Sequence, residues 1–189
     1  GNGSGNTASA VKDDAMKNIV LIGFMGTGKT TTGRLLASRL GRPFIDVDRK
    51  IELESQKTVV QIFETYGQAG FRKLEQAVIA KVARYKNTVI AVGDSGGLTV
   101  EDIRRLKKNG IIIGLTASLD VILERTGRRD TRPLLNCPNP EEVVTKLLAE
   151  REPVYRLAEF TVDTSDSSPQ EIVERIISFL RQSRYLRRR

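Results

Sequence analysis

Gly23-Phe24-Met25-Gly26-Thr27-Gly28-Lys29-Thr30 is the stretch on which the fold turns. It fits G-x-x-x-x-G-K-[ST], with an apolar run at 19–23 before it and Leu35, Leu36 and Leu40 at helical spacing after it. The pattern has a chemical reason. Glycines let successive backbone N–H groups turn toward one anion, and the N-terminus of the following helix adds the positive end of its dipole. Lys29 brings a mobile cation to the outer phosphates, and the Thr30 hydroxyl is suited to ligate Mg²⁺. The expectation is a nucleoside triphosphate site built from Gly26, Thr27, Gly28, Lys29, Thr30 and Thr31.

Outward from this loop, short apolar runs at 19–23, 43–46, 88–92, 111–115 and 160–162 alternate with amphipathic segments. That alternation is the signature of βαβ units and a parallel sheet; the run at 43–46 is the weakest of the five. Leu74, Ala77, Val78 and Val82 share one helical face, as do Val143, Val144, Leu147 and Leu148. Ile172, Val173, Ile176, Ile177 and Leu180 do the same. Asn139-Pro140 and Ser168-Pro169 each set an N-cap residue before Pro at the first helical position, with Glu142 or Glu171 at the third. The fold expected is α/β: a five-stranded parallel sheet flanked by helices over residues 17–180. Residues 49–75 and 126–139 interrupt the alternation and are candidates for pieces that cover ligands.

Composition narrows the field. At 189 residues and 21.0 kDa, with 39% hydrophobic and 29% charged residues, the chain reads as one globular domain. The apolar run at 19–25 is too short to span a membrane, and no leader pattern opens the chain, so a cytoplasmic protein is expected. Residues 1–16, opening on a small polar run, are read as a flexible tail or tag. The single Cys137 and the absence of His exclude an internal disulfide and a His/Cys metal cage. A divalent ion would sit on oxygen ligands, which suits Mg²⁺. Of the net charge of +8, five arginines lie in the tail 181–189, which leaves +3 for the rest. A basic tail this short, with Tyr185 as its one aromatic, reads as solvated rather than as a nucleic-acid contact.

The chain has no guanine-reading Asn/Thr-Lys-x-Asp and is too short for a motor, which leaves a small phosphotransferase. Asp46-Val47-Asp48 supplies two carboxylates one residue apart. One is expected to face Mg²⁺ and the other a second substrate.

With these motifs the chain resembles the shikimate kinases, nucleoside-monophosphate-kinase-like P-loop enzymes, from about residue 17 to 180. The residues that carry the resemblance are Gly23–Thr30, Asp46-Val47-Asp48, Phe71-Arg72-Lys73-Leu74-Glu75, Arg129-Asp130-Thr131-Arg132-Pro133-Leu134-Leu135 and Arg151-Glu152-Pro153-Val154-Tyr155. The resemblance implies phosphorylation of the shikimate 3-hydroxyl by MgATP, on the way to chorismate and aromatic amino acids. It also implies a monomer, an acceptor-binding segment at 49–75 and a lid at 126–139.

Residue by residue, it implies that Arg72 and Arg151 bind the acceptor carboxylate, a contact well suited to a guanidinium fork. Without the resemblance, Arg72 reads as a salt bridge to Glu75 on its own helix, and Arg151 as a cation near a helix end. Asp48 matches the residue that orients the attacking hydroxyl and takes its proton, and Asp46 the carboxylate that holds Mg²⁺. Arg132 matches the lid arginine that reaches the transferring phosphates. Arg125 and the loop 165–169, including Ser168 and Pro169, occupy the adenine-binding places; Arg125 could equally pair with a neighbouring acid.

One stretch departs from the pattern. Where the family carries three consecutive glycines beside the bound acceptor, this chain reads Val92-Gly93-Asp94-Ser95-Gly96-Gly97. Either Asp94 and Ser95 replace two of the glycines, or two residues are inserted. Gly93, Asp94 and Ser95 are the candidate acceptor contacts there. An acid at that place would repel an anionic acceptor, and a Cβ would limit backbone approach. The alternative expectation is therefore a family-like nucleotide-binding protein of weak or altered activity.

Overall fold

The computed structural model describes residues 16–93, 95, 97–127 and 138–186. Its sheet has five parallel strands in the order β2-β3-β1-β4-β5: β1 Asn18–Gly23, β2 Phe44–Asp46, β3 Val89–Ala91, β4 Gly110–Thr116 and β5 Phe160–Asp163. The helices among the described residues are α1 Lys29–Leu40, α2 Val47–Ser55, α3 Val59–Val82, α4 Val100–Lys107, α5 Leu119–Gly127, α6 Pro140–Tyr155 and α7 Pro169–Gln182. All five runs expected as strands are strands, including the short β2.

β1 lies at the centre, pairing Ile19 with Val89 on one side and with Ile111 on the other. Its side chains feed two cores in alternation, as a strand buried on both faces must. Val20 and Ile22 pack with Ile90, Ile112, Ile51, Phe71, Val78, Val82 and Ile103. Ile19 and Leu21 pack with Val89, Ile113, Leu36 and the α7 face of Ile172, Val173, Ile176, Ile177 and Leu180. Each such buried aliphatic side chain is worth about 1.5–3 kcal/mol relative to exposure, so α7 is a main anchor of that layer.

Local details differ from the sequence expectations in three places. Ala77 is exposed; the face of α3 that packs inward runs Phe71, Glu75, Val78, Ile79 and Val82. Asn139 makes no side-chain cap bond, because its backbone at φ −126° and ψ 71° is not in the extended capping conformation, whereas the Ser168 hydroxyl accepts from Glu171 N. Residues 49–75 are helical apart from the short link between α2 and α3, and α3 is broken at Gly67, whose φ of 70° and ψ of −176° only glycine adopts readily.

Past α7, Tyr185 N donates to Leu180 O (2.8 Å), Tyr185 Oη donates to Glu159 (2.7 Å), and Leu186 packs on the α7 layer. The packed domain therefore runs to Leu186. None of the described helices is long and apolar enough to cross a membrane.

Candidate active site

The loop after the central strand sits over a cleft of about 390 Å³ at the carboxyl end of the sheet, where ligands of open α/β folds bind. The loop is held open by its own chemistry. Thr27 N and Oγ1 donate back to Phe24 O at 3.3 and 2.7 Å, and Gly26 and Gly28 adopt φ of 81° and 87°. Gly28 is the N-cap of α1 and has no side chain to satisfy the first amides, so they remain for an anion. Lys29, 9% exposed, donates from Nζ to Gly23 O (2.5 Å) and Phe24 O (3.1 Å), folded along the loop it serves.

The two residues expected at the metal come together: Thr30 Oγ1 donates to Asp46 Oδ2 at 2.9 Å. This is an all-oxygen pair at the cleft wall, and its chemistry fits Mg²⁺. Asp46 and Asp48 do not both belong to a strand. β2 ends at Asp46, whose Oδ1 caps α2 by accepting from Arg49 N (3.3 Å); the chain turns helical at Val47, and both carboxylates line the same cleft.

Asp48 lies against Gly93. A Cβ at Gly93 would stand 2.0–2.3 Å from the Asp48 carboxylate, so the absent side chain is what makes room for it. Ser95, buried at 6% exposure, donates from Oγ to Asp48 Oδ2 at 3.4 Å. Gly93→Ala is expected to push the carboxylate aside and lower turnover by about 10²-fold, since about 1 Å of misplacement costs that much. Nucleotide binding should be unchanged, and turnover rate beside nucleotide titration checks both.

The arginines fall into three environments. Arg125 donates to Gly26 O (3.0 Å), Thr164 Oγ1 (3.3 Å) and Thr164 O (2.9 Å), so it braces the phosphate loop against the β5–α7 loop rather than pairing with an acid. Arg72 donates from Nη1 to Glu75 Oε1 and from Nη2 to Asp102 Oδ2, which includes the same-helix salt bridge its spacing suggests. Burial works against its charge, but the hydrogen bonds to Asp102 and Glu75 outweigh that and raise its pKa above the ordinary arginine value.

Arg151 is not merely a cation at a helix end. It is 8% exposed, its guanidinium stands 5.3 Å over the Phe24 ring, and its Nη1 has no hydrogen-bond partner among the described residues. A buried guanidinium nitrogen left in that condition is costly without a ligand.

Gly26, Thr27, Gly28, Lys29, Thr30, Thr31, Arg125, Asp46, Asp48, Gly93 and Pro169 all line the one cleft. Ser168 stands next to it as the α7 cap, while Arg72, Arg151 and Ser95 are not part of its lining. Arg132, most of the expected lid (residues 128–137), Asp94 and Gly96 lie outside the described residues. Thr164 was not expected. Fully buried, it donates to Thr27 O (3.0 Å) and receives Arg125, and only its place at the end of β5 hints at this. Ser167, in the loop expected at the adenine, and Thr126, at the start of the expected lid, also line the cleft, as does Ile172, read from the sequence as a core position.

Comparison with known proteins converges on one family. The family model described as shikimate kinase matches residues 25–181. The shikimate kinase of Pelotomaculum thermopropionicum is 49% identical over 171 residues, covering 90% of this chain and 99% of that protein. The shikimate kinase of Thermoanaerobacter pseudethanolicus is 48% identical over 162 residues, covering 86% of this chain and 95% of that one. In structure, the shikimate kinase of Acinetobacter baumannii solved with shikimate superposes with a TM-score of 0.86 at 36% identity, covering 91% of this chain and 97% of that one. Identity at this level across nearly whole chains, on the same sheet and phosphate loop, leaves one conclusion: the chain belongs to the shikimate kinase family.

Proposed function

We propose that the protein transfers the outer phosphoryl group of MgATP to the 3-hydroxyl of shikimate. The observation that carries this reading is the single cleft shared by the phosphate loop and Asp48, which puts donor and acceptor chemistry within one space. Family membership supports the choice of acceptor.

Phosphoryl transfer asks the protein mainly for positioning and charge neutralisation. The loop amides at Gly26–Thr31 take the phosphates, and Lys29 leaves the Gly23 and Phe24 carbonyls to neutralise the outer ones. Thr30 and Asp46 would hold the Mg²⁺, which when bound neutralises developing phosphate charge. Asp48, made room for by Gly93, orients the attacking hydroxyl and takes its proton. Arg151 receives the acceptor carboxylate on Nη1, which has no partner among the described residues, and Arg72 supplies directed N–H groups beside it. Arg132 is assigned to the transferring phosphates. Arg125 braces the adenine side of the cleft together with the loop that Ser168 and Pro169 end. The protein acts as a cytoplasmic monomer, with residues 49–75 holding the acceptor and residues 126–139 closing over ATP.

ADP release measured with no acceptor, with shikimate and with a stereochemically different polyol acid tests the reading. Release should depend on shikimate. Release independent of any acceptor, or preference for the other acid, contradicts it.

A further inference from the structure

Arg72 is tied from two sides. Glu75, one turn further along α3, takes Nη1, and Asp102, 30 positions away on α4, takes Nη2. Both carboxylate side chains are buried, at 0% and 7% exposure, and the arginine side chain is 17% exposed. Asp102 is not committed to Arg72 alone. The same Oδ2 accepts from Thr99 N (2.9 Å) and Thr99 Oγ1 (3.0 Å), closing the capping box at the start of α4. Arg72 Nη2 also reaches Thr99 Oγ1 at 3.4 Å. One carboxylate oxygen therefore joins the arginine of α3 to the point where the chain coming from Gly93 enters α4.

A free arginine side chain carries about 2 kcal/mol of rotamer entropy, and holding it in one direction is what bound partners accomplish. Of its five N–H donors, three are taken by Glu75, Asp102 and Thr99, which leaves two for a ligand. Two carboxylates also offset its charge, so Arg72 contributes direction more than net attraction. We infer that Asp102 is a positioning residue for the acceptor: from α4 it fixes the direction in which Arg72 presents its remaining N–H groups to the acceptor carboxylate. This rests on the reading of Arg72 as an acceptor residue.

The test is steady-state kinetics on the full chain with three substitutions. Asp102→Asn keeps an oxygen for the Thr99 amide and removes the anionic partner of Arg72. It should raise KM for shikimate about five- to tenfold, less than the loss of a whole charge-assisted hydrogen bond because Arg72 itself remains, with KM for ATP and kcat within twofold. Thr99→Val breaks the cap and the long contact to Arg72 without removing the Asp102 carboxylate; it should lower Tm and raise KM for shikimate clearly less than Asp102→Asn does. If Asp102→Asn gives too little soluble protein, Asp102→Ser gives the same comparison. Arg72→Ala separates the two levels of failure. If it leaves KM for shikimate unmoved, the acceptor reading of Arg72 falls, and the role of Asp102 with it. If it raises KM while Asp102→Asn does not, only the positioning role falls. An equal rise in the KM of both substrates for Asp102→Asn, or an equal rise in shikimate KM for Thr99→Val, would mark Asp102 as a cap alone and overturn the proposal.

Discussion

Replacing Lys29 with alanine is expected to lower kcat/KM for phosphoryl transfer by on the order of 10³-fold while leaving the domain folded. The magnitude follows from removing a cation aimed at charge that develops in the transition state within a cleft partly shielded from water. The survival of the fold follows from how the loop is held. Its shape rests on Thr27 bonding back to Phe24 O and on Thr164 and Arg125 gripping Thr27 O and Gly26 O, none of which uses the lysine side chain. The two carbonyls that receive Nζ lose a hydrogen bond each, about 1 kcal/mol apiece, offset by no longer burying an ammonium group. Circular dichroism should show an unchanged secondary structure, and kinetics should show the loss. A variant with near-normal rate would mean that the loop does not serve the outer phosphates.

Arg151→Ala is the second large effect, and it should fall on the acceptor alone. Its guanidinium combines burial, the Phe24 ring at 5.3 Å and an Nη1 with no partner among the described residues. A charge-assisted bond to a carboxylate is worth about 1.5–3 kcal/mol, which corresponds to an increase in shikimate KM of roughly 10- to 150-fold. Arg72→Ala should cost less, because Glu75 and Asp102 already offset its charge. Calorimetric titration of shikimate and of a non-hydrolysable ATP analogue checks the split. Equal weakening of both ligands would remove Arg151 from the acceptor site.

The central frame was legible in the sequence because its signals are local. The phosphate loop states its own backbone needs, and β1 and β4 are runs of β-branched and other aliphatic residues that only a strand buried on both faces uses comfortably. The α7 stripe is visible for the same reason, since all five of its apolar positions are buried. Other features depend on partners far along the chain. Nothing near Asp46-Val47-Asp48 reveals that the strand ends at the first aspartate, yet that switch makes Asp46 the cap of α2 and sets Asp48 in its first turn, against Gly93. Thr164 is an ordinary residue until Thr27, 137 positions away, and Arg125 converge on it. Asp102 closes the capping box of α4, and only the packing of α4 beside α3 turns the same oxygen toward Arg72. The bland reading of Arg72 as the partner of Glu75 and the functional one are thus compatible: the salt bridge exists and gives the arginine its direction.

The most direct measurement is the identity of the product. The protein incubated with shikimate and MgATP should yield, by phosphorus and proton NMR, one new phosphate ester on the 3-hydroxyl, formed in equal amount to ADP. Omitting Mg²⁺ should stop both. ADP formed without a phosphorylated acid, or an ester at another hydroxyl, would contradict the account of a cleft in which Asp48 aims one hydroxyl at the phosphate loop.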